Sequence, residues 1–146
     1  MKVYFAGPLF TTAEQAWNAE VATALRRAGH EVFLPQEQEP GQDAAGIFAT
    51  DVGGIDWSDG LVAVMDGPDP DSGTAWEVGY AYGRDKPVVL VRTDIRAYAG
   101  AAGDYNPMLT QAATIRIDLP AASTDEVIEA IASALVQLET EGPTRR

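Results

Sequence analysis

Apolar residues along this chain gather in two alternating kinds of segment. Short runs rich in β-formers are KVYFA (2–6), EVFLP (31–35), GLVAVMD (60–66), KPVVLVRTD (86–94) and the alternating TIRIDL (114–119). Each predicts a strand, and the unbroken run at 60–66 suits a central parallel strand buried on both faces. Between them the apolar spacing turns helical. Thr11 and Glu14 form a capping-box pair, Trp17, Val21, Leu25 and Ala28 follow on one face, and Gly29 stands at the expected stop. Residues 36–46 are polar and predict a surface loop. A second helix is expected over AAGIFATDVGGIDWSD, weakened by roughly 1 kcal/mol at each of Gly53 and Gly54 relative to alanine. Further helices are expected from about Thr74 to Arg84, briefly over NPMLTQAA, and from Thr124 to Glu139.

Strands and helices thus alternate five times. The pattern predicts an α/β fold, a doubly wound five-stranded parallel sheet with helices on both faces. Residues 1–140 are expected to form one domain and 141–146 a flexible tail. In such sheets ligands bind beyond the carboxyl ends of the strands. Those ends here are the GPLF loop, Gln36 and its neighbours, DGPDPDSGT and RTDIRAYAGAAGDYN, where polar and glycine-rich residues collect.

Composition narrows the partners. A formal net charge of −12 repels polyanions, so nucleic acid is not an expected partner. No apolar run approaches the length of a membrane span, and MKVYFAGPLF reads as a first buried strand and not a signal peptide. Without cysteine there is neither a disulfide framework nor a thiolate metal site, and the expected compartment is the cytoplasm. The single histidine, His30, follows Gly29 at a helix end, where a cation favours the dipole; it is a poor metal ligand by number alone. Trp17 is expected in the core, as are Tyr80 and Tyr82.

Glu77 breaks the apolar pattern, alone among Ala, Trp, Val, Gly and Tyr. Gly73 and Thr74 open its helix, which places Glu77 near the positive end of the dipole; an acid there stays ionised, as a nucleophile must. The plain alternative is an acid that only complements the dipole. Gly73 lets a ligand approach the backbone, and Gly79 and Gly83 are expected to let the helix pack tightly. A carboxylate nucleophile suits attack on an anomeric carbon, which needs a second acid to protonate the leaving group. Asp51, Asp56, Asp66, Asp69 and Asp71 are candidates, each equally readable as a solvated or turn residue.

Four blocks, VYFAGPLF, TDVGGIDWSDGLVAVMDG, DSGTAWEVGYAYGRDKPVVLV and YNPML, resemble in order the nucleoside 2-deoxyribosyltransferase family across about residues 2–113. The resemblance implies a flavodoxin-like sheet and a homo-oligomer whose sites are completed by a neighbouring subunit. It implies 2′-deoxynucleosides and free purine or pyrimidine bases as substrates, with no cofactor and no metal. It makes Glu77 the nucleophile, Tyr4 the tyrosine that contacts it, and Asp51 and Asp71 the acids that hold and protonate the base. Gln36 takes the place of a base-contacting glutamine, and Asn106 and Met108 that of residues crossing to the next subunit to hold the sugar 5′-hydroxyl. Gly7, Ser72 and Gly73 fall in substrate-binding loops. Phe10 is placed near the sugar 2′ position, against the plainer reading of packing. In some family members the C-terminal carboxylate lines the partner's site; here the chain ends in EGPTRR.

The reaction implied is a double displacement with retention through a covalent deoxyribosyl–Glu77 intermediate. One alternative is a nucleoside or nucleoside 5′-monophosphate N-glycoside hydrolase, for which Ser72 and Arg96 would serve phosphate. Another is a non-catalytic nucleotide-binding sensor module.

Overall fold

The structure, a computed structural model, describes residues 1–38, 40–98 and 105–141. Residues 99–104, inside the 92–105 loop, and all of the expected tail except Glu141 lie outside the described residues. The strands are β1 (Lys2–Ala6), β2 (Glu31–Phe33), β3 (Gly60–Val64), β4 (Val88–Arg92) and β5 (Ile115–Asp118). The helices are α1 (Thr12–Arg27), α2 (Ala44–Trp57), α3 (Ser72–Gly83), α4 (Pro107–Thr110) and α5 (Thr124–Glu141). All strand pairs are parallel and the order is β2-β1-β3-β4-β5, so the chain reverses its winding direction between β1 and β3. That reversal opens a crevice at the carboxyl end of the sheet.

Because side chains alternate along a strand, each strand feeds two cores. Val3 and Phe5 of β1 join Val62, Val64, Val89 and Val91 against Val21 and Leu25 of α1 and Ile131 and Leu135 of α5. Tyr4 and Ala6 join Leu61, Ala63 and Leu90 against Ile55 of α2, Val78 and Ala81 of α3 and Leu109 of α4. Each large side chain so buried contributes about 1.5–3 kcal/mol. Trp17 packs at the border of the first core, its ring centroid 6.3 Å from that of Phe5.

Several local expectations are corrected. A short 3-10 turn at Pro35–Glu37 interrupts the predicted loop. The helix α2 runs unbroken through Gly53 and Gly54, and Gly54 is buried with the Phe33 ring where a side chain would lie. The helix α3 starts at Ser72 and not Thr74, because Asp71 caps it; Glu77 therefore sits in the second turn. Gly79 and Gly83 are exposed, and among the described residues nothing lies within 4 Å of where their side chains would begin, so no close packing forms on them within this chain's described residues. Tyr82 is exposed, while Tyr80 is half-buried and stacks on Trp76 at 5.2 Å. Burial and the neighbouring N-terminal ammonium push the His30 imidazole down, which disfavours the cation expected at the α1 dipole; its Nδ1 lies 3.3 Å from that ammonium. Among the described residues no helix is long and apolar enough to cross a membrane.

Candidate active site

The second core carries the chemistry. Tyr4 is fully buried, and its hydroxyl donates to Glu77 Oε1 at 2.5 Å. The bond joins the centre of β1 to the second turn of α3, across residues 73 apart in sequence. Burial first, then the Glu77 and Asp51 carboxyls, drive the Tyr4 hydroxyl far above its usual range. It therefore remains a hydrogen-bond donor at any pH at which the protein works.

Glu77 is pushed up to about 7, chiefly by burial, with the charges of Asp51 and Asp71 adding to the rise and the Tyr4 hydrogen bond opposing it. This corrects the expectation of a freely ionised acid at a helix end: the second turn lies past the orphan N–H groups, and desolvation wins over the dipole. Asp51, on the face of α2 turned toward β1, is also raised by burial. Asp71 is the N-cap of α3, its Oδ2 accepting from Thr74 N at 2.9 Å and Thr74 Oγ1 at 3.2 Å. Tyr4, Glu77, Asp51 and Asp71 are thus within electrostatic reach of one another. With its proton affinity raised to about 7, Glu77 can exchange a proton near neutral pH.

The other three acids are occupied elsewhere or solvated. Asp56 pairs with Arg84 Nε at 2.9 Å and receives the Tyr80 hydroxyl. Asp66 accepts from Thr93 N at 2.6 Å, from Thr93 Oγ1 at 2.5 Å and from Asp94 N at 3.0 Å, tying the ends of β3 and β4 together. Asp69 is exposed.

The remaining expected site residues occupy the same carboxyl edge. Gly7 abuts Val64, whose Cγ2 would lie 3.2 Å from a side chain there. Gln36 is turned to α1, its Nε2 donating to Gln15 O at 2.7 Å and its Oε1 accepting from Asn18 Nδ2 at 3.2 Å. A side chain at Gly73 would press on Asp71 Oδ2, and Ser72 is exposed beside it. Phe10 is 73% exposed, which corrects the packing alternative, and Met108 is 80% exposed. Asn106 also acts inside its own subunit: its Oδ1 caps α4 by accepting from Met108 N at 2.9 Å. Arg96 is committed to a bidentate pair with Asp94, which holds that acid well below the usual carboxylate range.

Two supporting residues escaped sequence reasoning. Asn18, buried in α1, donates to Pro8 O at 2.9 Å as well as to Gln36, joining the loops that follow β1 and β2. Its signal was an asparagine beside the apolar stripe of Trp17, Val21 and Leu25. Arg92, buried at the end of β4, donates to Met65 O at 3.1 Å and Gly67 O at 3.2 Å and lies over the Tyr105 ring at 4.7 Å. A lone cation ending an apolar strand was its signal.

A family model described as nucleoside 2-deoxyribosyltransferase matches residues 3–140. The chain belongs to this family. A structure of a conserved protein from Enterococcus faecalis is 30% identical, with a TM-score of 0.72 over 92% of this chain and 98% of that one. A 2-deoxyribosyltransferase from Bacillus psychrosaccharolyticus is 27% identical, with a TM-score of 0.67 over 90% and 96% of the two chains. A CMP N-glycosidase from Clostridium botulinum shares the fold at 16% identity, with a TM-score of 0.66 over 90% and 98%. A comparison with curated proteins returned no match. The five-stranded parallel sheet is the α/β fold of these deoxyribosyltransferases.

Proposed function

We propose that the protein exchanges the base of 2′-deoxynucleosides, with Glu77 as nucleophile. The observation that carries this reading is the 2.5 Å bond from the buried Tyr4 hydroxyl to the Glu77 carboxylate, beside a second, half-buried acid, Asp51. One Glu77 oxygen attacks the anomeric carbon, the glycosidic bond breaks with its electron pair on the base nitrogen, and a proton from an aspartate neutralises that nitrogen. Asp51 is the donor, since burial raises its proton affinity, whereas one oxygen of Asp71 is already occupied by the Thr74 N–H and hydroxyl. Asp71 then orients the base. In the second half an acceptor base nitrogen attacks the same carbon, the bond to Glu77 breaks, and the acceptor's proton returns to Asp51. Two inversions give retention, and no step calls for a metal or cofactor.

Phosphate at the sugar end finds little support, because Arg96 is neutralised by Asp94 and Arg92 is spent on carbonyls. A neutral deoxynucleoside suits the site better than a nucleoside monophosphate. Phe10 and Met108, both exposed, support a homo-oligomer in which Met108 and nearby Asn106 complete another subunit's sugar pocket and Phe10 disfavours a ribose hydroxyl. Such an enzyme would act in the cytoplasm on salvaged nucleosides and bases.

The test is chromatography of products from thymidine or deoxyinosine with and without adenine or cytosine. A new deoxynucleoside formed only with acceptor, and lost in Glu77→Ala, is expected. Free sugar at a rate indifferent to acceptor would make it a hydrolase. Unchanged nucleoside binding with no turnover would make it a sensor. A fully active monomer by light scattering would exclude the shared pocket.

A further inference from the structure

We propose that Phe33 is a positioning residue: wedged between the Tyr4 ring and the bare backbone of α2 at Gly54, it fixes where the Tyr4 hydroxyl meets Glu77. The inference rests on the reaction assigned above to Glu77. Phe33 and Tyr4 are paired across β2 and β1 in the sheet register, and their rings stack at 5.3 Å and 15°. On the far side of Phe33 a side chain at Gly54 would begin 2.6 Å from its Cε1, 2.7 Å from Cζ and 2.8 Å from Cδ1. No side chain fits there, so only glycine lets the ring lie flat on the helix. Trp57 closes the outer edge at 6.4 Å, with Lys2 Nζ 5.2 Å from its ring.

Ring, ring and helix backbone therefore form one stack that ends at the nucleophile. Gly54 lies one turn beyond Asp51 on α2, so the same contact sets the height of the proposed proton donor above the sheet. Burial alone would not ask for a flat ring at this edge position, which is only half-buried; Val32 and Leu34 on either side are aliphatic and more deeply buried. A branched aliphatic chain offers the tyrosine face no flat partner and, lacking the ring's outer atoms, leaves part of the slot against Gly54 empty. The hydroxyl sits at the far end of the Tyr4 side chain, where a small ring tilt becomes a large displacement, and a 1 Å misplacement costs up to ~100-fold in rate.

The experiment is a double-mutant cycle in the full chain with Tyr4→Phe and Phe33→Leu. It reads the titration midpoint of Glu77 by carbon-13 NMR, the resonance being assigned by its absence in Glu77→Gln. The groups facing Glu77 are Tyr4 from β1, Asp51 from α2 and Asp71 ahead of α3, and neither substitution removes a charge among them. Tyr4→Phe raises the midpoint in the wild-type background, since it removes a bond that favours the charged form. After Phe33→Leu the same change moves it less than half as far, and kcat/KM has already fallen about tenfold, mostly in kcat. An equal shift in both backgrounds overturns the proposal.

Gly54→Ala drives a methyl into the same slot and reproduces the loss of coupling; should Phe33→Leu fail to fold, this variant carries the test. Combining Phe33→Leu with Gly54→Ala lets the methyl fill the vacated space and recovers coupling, whereas a combination no better than either single variant overturns the proposal. The titration needs no substrate. Absence of turnover with the coupling intact would remove the assigned reaction and leave the positioning role standing.

Discussion

The two faces of the sheet are built from the same strands and differ in what they ask of them. Against α1 and α5 the inward residues of β1 are Val3 and Phe5, and that core is aliphatic with one aromatic from the sheet. Against α2, α3 and α4 the inward residues include Tyr4, and its hydroxyl leads to a carboxyl at the helix layer. One face is held by volume and tolerates exchange among apolar side chains. The other is held by a hydrogen bond and a proton balance, and it is costly: burying a carboxylate opposes folding. The comparison teaches that stability and chemistry in this family member are separated by one residue step along β1.

Substitutions on opposite faces should therefore fail differently. The largest stability effect is expected on the first face. Leu135→Ala removes a fully buried side chain and should cost 2–5 kcal/mol, to order of magnitude, in denaturant unfolding. The Glu77 midpoint and the kcat/KM of the folded protein should stay within about twofold. A displaced midpoint would show that the two cores are mechanically coupled.

The second face predicts a gain. Glu77 binds its proton more tightly folded, at about 7, than unfolded, at 4.5. Below the unfolded value both states hold the proton. As pH rises through the folded value, the protein loses the stability that proton confers. Glu77→Gln is neutral throughout and still accepts from Tyr4, so above neutrality it should be more stable than wild type by on the order of 2 kcal/mol. The advantage should vanish below the unfolded value. Equal pH dependence in both proteins would mean that Glu77 is not desolvated.

The smallest effects concern the rate profile. The kcat/KM should rise with pH through a midpoint near 7 as Glu77 becomes a carboxylate. Tyr4→Phe should move that midpoint up by less than about one pH unit, because it removes a bond that favours the charged form. A midpoint left in place or moved down would contradict the arrangement.

Much of this was legible from spacing. The five strands, the long helices and the oddity of Glu77 all come from local pattern. The start of α3 was misplaced by two residues because PDPDSG is good turn sequence, and Asp71 is both turn and cap. The proton affinity of Glu77 was not legible, since it depends on what α2 and β1 place around it. Gly54 looked like a weakness in a helix; its purpose is visible only once Phe33, on a strand 21 residues earlier, lies against it. Tyr4 and Phe33 are ordinary β-formers in sequence, and nothing local says that their rings share a stack. The family resemblance supplied roles that spacing left open between Asp51 and Asp71.

The Arg92 clamp sets where this scaffold accepts redesign. Its guanidinium holds the carbonyls of Met65 and Gly67, and Gly67 donates its N–H to Asp94 at 2.9 Å in a positive-φ turn. Downstream, Asp71 is fastened to the first turn of α3. Between these two anchors only Pro68, Asp69 and Pro70 are left at the tip. A library that lengthens or rewrites those three positions, with both anchors untouched, would vary the rim of the crevice while the acids beneath keep their places.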